Sequence, residues 1–143
     1  MKSVLAALVL ACSAFAVLAS SGCPGEGEGE GEGDGDGPPT LSSIHDDIFH
    51  IGCSASVCHG GPGPSEGLDL DSHPFETLVN VDSALVPGMK RVVPGDADNS
   101  ELVQVLLQAN FHGIPQMPQG GDPLPPAAIA RIKLWINNGA ENN

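Results

Sequence analysis

Two thiols and an imidazole share one short stretch, Cys53-Ser-Ala-Ser-Val-Cys58-His59. Thiols add across vinyl groups to give thioethers, so the two cysteines can fix a haem covalently while the adjacent His59 ligates its iron. The same atoms support two other chemistries. In an oxidising compartment Cys53 and Cys58 can close a disulfide. With His59 they can begin a zinc site, although no fourth ligand is obvious and closed zinc sites prefer closer cysteine pairs. A second ligand-bearing segment, Phe111-His-Gly-Ile-Pro-Gln-Met117-Pro118, lies well downstream. Its two donors are His112 and Met117. Imidazole with thioether is a known ligand pair for cytochrome iron and raises its potential, whereas two imidazoles lower it.

Other chemistries find no support in the residues. There are no paired carboxylates in a helical frame, no Gly-x-Gly-x-x-Gly fingerprint, no phosphate loop and no nucleophile motif around the serines near His59. Independent catalysis is not expected. The 143 residues carry 18 acids against five Lys and Arg, a net charge of −13. Nucleic acid is not an expected partner, because its backbone is bound by Lys and Arg.

These residues must be carried to their compartment and then positioned. Lys2, the apolar run Val4–Val17 and the small residues up to Gly22 form a secretory signal over residues 1–22. The run is short for a membrane-spanning helix. Cys23 follows at the place where a bacterial lipoprotein is lipidated, which the end of this segment resembles. Residues 23–39 then read as a tether. Its Glu-Gly and Asp-Gly repeats combine backbone freedom with like-charge repulsion. Residues 40–143 read as the folded domain, and the resemblance implies that it is carried by a bacterial membrane-anchored lipoprotein at the periplasmic face or the cell surface.

Within that domain, Thr40 can cap a helix through Leu41, Ile44, Ile48 and Phe49 that Gly52 ends. Pro74 to Val79 is one short helix. Asp96 or Asn99 can cap another through Leu102, Val103, Leu106 and Leu107. Pro125-Pro126 opens the strongest, Ala127 to Asn138, with Ile129, Ile132 and Ile136 on one stripe, Trp135 beside it and Gly139 as its C-cap. The stretch from Phe111 to Leu124 reads as a Gly/Pro-rich loop. The expected fold class is all-α, with long ordered loops, and loops of this length usually surround a site. His45, His50 and His73 read as surface residues.

The motif and its surroundings resemble the c-type cytochromes, specifically the small helical domains of exported bacterial proteins. The carrying segments are Ile48-Phe49, Cys53 to Gly60, Gly67-Leu-Asp-Leu70, Arg91-Val-Val-Pro-Gly-Asp96, Asn99-Ser100, Met117-Pro-Gln-Gly-Gly121, Pro123-Leu124 and Ile132 to Ala140. A minority of such sites place four residues between the thiols, as here. The resemblance implies a cytochrome c-like fold and one covalent haem c on Cys53 and Cys58. It implies His59 as proximal and Met117 as distal ligand, His112 being the competitor, and single-electron transfer to a redox partner protein. Arg91 is read as a partner for a haem propionate or as a surface ion pair. The rival reading is a non-redox extracytoplasmic binding or surface module stabilised by a Cys53–Cys58 disulfide.

Overall fold

The computed structural model describes residues 36–143. The signal segment, the lipidation candidate Cys23 and most of the tether lie outside the described residues. The first helix begins as its sequence requires. Thr40 is extended, and its hydroxyl accepts a hydrogen bond from the Ser43 N–H, capping α1 (Leu41–Ile44). The chain then widens into a π-helical turn, His45–Phe49, before closing as α2 (His50–Gly52). This wider turn is not encoded in the apolar spacing, which a regular helix satisfies equally well.

After the cysteine segment comes a 3₁₀ turn at Ser65–Gly67, followed by α3 (Pro74–Leu78), α4 (Glu101–Leu107) and α5 (Pro126–Asn137). α5 starts on Pro126, whose fixed φ suits the first helical position. It is followed by Gly139 at φ 111°, a conformation costly for other residues. The cap of α4 differs from expectation. Ser100 occupies the N-cap position. Its hydroxyl instead donates to the Asp96 carbonyl and accepts from the Val93 N–H. Asp96 serves the preceding turn by accepting from the Asn99 N–H.

The all-α expectation is corrected. β1 (Asn110–Phe111) and β2 (Ile114–Pro115) pair antiparallel, with Phe111 opposite Ile114. His112 and Gly113 connect them with φ of 52° and 89°. Two successive positive φ values match the tight connection favoured by twisted strands. The Asn110 side chain accepts the Gly113 N–H at 2.9 Å and fixes the reversal. Histidine is an uncommon residue at such a position, which is why the segment reads as a plain loop in sequence.

The core sits where α5 meets α1, the π turn and α4. Ile132, Trp135 and Ile136 of α5 are buried with Leu41, Ile44, Phe49 and Val103. Each such side chain stabilises the fold by roughly 1.5–3 kcal/mol through removal from water. Trp135 keeps its polar atom satisfied, its indole N–H donating to the Glu141 carbonyl at 2.9 Å. Arg131, buried on the same helix, donates to the Pro38 carbonyl, the Ser43 hydroxyl and the Asp47 carboxylate. It thus ties the end of the tether and the π turn to α5.

Candidate functional site

Beside this core lies a cavity of about 720 Å³. Its apolar wall comes from Phe49 of the π turn, Leu68 and Leu70, Leu78 of α3, Leu102, Val105 and Leu106 of α4, and Ile114, Met117 and Leu124 downstream. Its polar points are Cys53, Cys58, His59, Ser65, Glu66, Arg91, Glu101, His112 and Gln119. The four residues singled out in sequence, Cys53, Cys58, His59 and Met117, therefore line one cavity although they come from two distant segments. Cys23 lies outside the described residues.

Backbone hydrogen bonds explain how the segments are held. The His59 N–H donates to the Cys53 carbonyl at 3.1 Å, and the Cys58 N–H to the Ala55 carbonyl at 2.8 Å, winding the cysteine segment into compact turns. Gly60 permits this: a Cβ there would collide with the Ser54 carbonyl. The Leu70 N–H then bonds to the His59 carbonyl at 2.7 Å, closing the opposite wall. On the far side, the Met117 N–H donates to the Val105 carbonyl at 2.9 Å, and the Gln116 side chain donates to the Leu106 carbonyl. The loop is pinned to α4 by its backbone.

The electrostatics follow from burial. Cys53 is pushed up to about 11, first by burial and then by the neighbouring Cys58. It stays a neutral thiol at ordinary pH, and thiols are nucleophiles and metal ligands only as thiolates. Cys58 is exposed. Burial is also the main cause holding His59 below the usual histidine range. The Arg91 charge adds to this, while the Ser65 and Leu68 carbonyls oppose it. The His59 Nδ1 is buried with no hydrogen-bond partner.

Arg91 is the residue whose weight was misjudged from sequence. It is 7 % exposed, and its guanidinium donates to the carbonyls of Glu66, Gly67 and Thr77. None of the ion pairs among the described residues includes it. The surface ion pair expected for it is therefore corrected. A buried cation matched only by neutral carbonyls favours an anion in the space it faces.

Cys53 and Cys58 are free thiols, not a disulfide. Among the described residues, the group of three His, Cys, Asp or Glu side chains with metal-ligand proximity is His45, His50 and Asp71, and it includes none of Cys53, Cys58 and His59. The resemblance to c-type cytochromes rested on short segments, many of them Gly/Pro-rich turns that recur wherever a chain reverses. Their sum does not carry a family assignment, and the expectations of covalent haem c, iron ligation and single-electron transfer are corrected with it. So is the disulfide-stabilised module. No protein-family model, no curated protein and no solved structure matches the chain.

Proposed function

We propose that the protein is a binding protein whose site is the 720 Å³ cavity, taking an amphipathic small molecule with an apolar body and an anionic group. The observation that carries this reading is Arg91, a buried cation that no carboxylate pairs, on a mainly apolar wall whose buried carboxylate, Glu101, is bonded to the Ser83 hydroxyl instead. Cavities of a few hundred cubic ångströms lined by apolar side chains with few polar groups are the usual form of small-molecule sites. The unpartnered His59 Nδ1 offers a second polar contact. Binding without turnover fits a cavity whose inner thiol is held neutral and whose Glu101 is engaged by the Ser83 hydroxyl.

The same proposal places the domain outside the cytoplasm. A signal over residues 1–22 and a lipid on Cys23 tether it by the acidic segment to a membrane. Several acyl chains anchor firmly where a single chain does not. No helix among the described residues is long and apolar enough to cross a membrane.

Two fluorescent probes test the cavity. The anionic 8-anilinonaphthalene-1-sulfonate should bind saturably and more tightly than the neutral N-phenyl-1-naphthylamine. Leu124→Trp, at a half-buried position on the wall, should weaken both, while Arg91→Met should abolish the preference for the anion. Equal binding of the two probes by the unaltered protein would overturn the anionic requirement. Fluorescence indifferent to Leu124→Trp would place the probes elsewhere and remove the cavity from the reading.

A further inference from the structure

We infer that His45, His50 and Asp71 form a binding site for a first-row divalent cation of the zinc type, on the outer surface behind the cavity wall. One donor atom from each of the three side chains lies within 4.8 Å of the others. The site goes beyond the cavity reading and does not depend on it.

The π turn creates the pairing. Five residues apart on a regular α-helix, two side chains point about 140° apart around the axis. Here the His50 N–H donates to the His45 carbonyl, the five-residue hydrogen bond of a π turn. The inserted residue swings His50 toward His45, and the two rings approach to 5.8 Å between centroids. Asp71 arrives from the other segment on a turn built by Asp69, whose carboxylate accepts the N–H groups of Asp71 and Ser72, each at 2.9 Å.

The donor spacing fits a small cation. Bonds of about 2.0–2.2 Å around a tetrahedral centre set neighbouring donors about 3.4 Å apart. His50 Nδ1 lies 3.6 Å from Asp71 Oδ1, near that spacing, whereas His45 Nε2 lies 2.8 Å from the Asp71 backbone carbonyl oxygen, a hydrogen-bond distance that opens by about 0.6 Å if both ligate one tetrahedral ion. Two imidazoles with a carboxylate and a carbonyl are donors that zinc, nickel and related ions accept.

A second, separate observation concerns the surroundings of His45. Its Nδ1 faces Asp46 Oδ1 at 3.0 Å, and its Nε2 faces the Asp71 carbonyl. Both ring nitrogens thus meet oxygen acceptors. A neutral imidazole carries one N–H and satisfies only one of them. An imidazolium would donate to both; a cation on Nε2 takes the place of its second proton and leaves the Nδ1–H on the Asp46 carboxylate. Carboxylate–histidine–metal triads orient and strengthen a ligating ring in this way.

Calorimetric titration of the full processed chain with Zn²⁺ tests the site, with Co²⁺ as a spectroscopic substitute. One ion should bind per chain and raise the thermal midpoint. His50→Ala, at a largely exposed position, should weaken binding at least tenfold without unfolding the protein. His73→Ala, which breaks only the neighbouring pair with Asp69, should leave binding unchanged. Because free thiols also take zinc, the Cys53→Ser, Cys58→Ser double variant is the decisive companion. Binding that survives it, with a Co²⁺ spectrum free of thiolate charge transfer, supports the histidine site. Binding lost in that double variant but kept in His50→Ala, or no binding by the unaltered chain, overturns it.

Discussion

The inner and outer faces of two short segments behave as opposites. Phe49 and Leu70 turn inward, buried to 1 % and 3 % exposure, and line the cavity. Their immediate neighbours, His50 and Asp71, turn outward and meet each other across the surface. The inner face recognises by apolar area, with one buried cation supplying direction. The outer face gathers donors that water can reach, so charge and coordination determine what it holds. One pair of backbone segments therefore serves two kinds of recognition, and a change to either face is legible as a selective loss.

The largest expected effect abolishes the contrast altogether. Phe49→Ala removes a buried ring that packs in the core and lines the cavity, so it should cost about 3–5 kcal/mol in denaturant unfolding. Probe binding and zinc binding should both fall. Retention of full zinc affinity would show that the outer face is held independently of the packing behind it.

Arg131→Met separates global support from local geometry. Arg131 is buried, but its partner Asp47 is half exposed, so loss of the pair should cost about 1–3 kcal/mol, below the range for a fully buried pair. The midpoint of urea unfolding measures this. Because Arg131 holds the π turn from α5, zinc affinity should fall more than probe affinity.

Gly60→Ala acts only on the inner face. The added methyl collides with the Ser54 carbonyl, so the cysteine segment must shift, at a cost of about 1–3 kcal/mol. Probe affinity should drop while zinc affinity stays.

The smallest effect is the pH dependence carried by His59. Its folded pKa lies below its ordinary value, so the unfolded chain binds more protons across that interval. Stability from this group is therefore complete above about 6.5 and falls as pH drops toward the lower folded value. Urea midpoints between pH 7.5 and 5 should show the decline, and His59→Asn should flatten it. An unchanged slope in that variant would assign the decline to other groups.

The helices were largely legible because their signals are local. Thr40 before an apolar face, Pro126 at a helix start and Gly139 past its end each act within one turn of chain. The cavity was half legible. Cys53, Cys58, His59 and Met117 stand out by residue type, and they do line one space. The cofactor inferred from them did not follow, since the same donors serve several chemistries and short loop resemblances do not decide among them. The β1–β2 hairpin escaped because His112 stands before Gly113 where Asn, Asp or Gly is usual.

The sequence by itself determined the helical stripes, the acidic charge balance and the set of side chains able to act as donors. Tertiary structure decided which of them meet. The Arg91 environment depends on carbonyls of Glu66, Gly67 and Thr77, and the His45–His50–Asp71 cluster on a π turn facing an Asp69-centred turn. Both arrangements arise from backbone groups brought together by folding of separate segments. Backbone groups are the same at every residue, so spacing in the chain carries no mark of where they will converge.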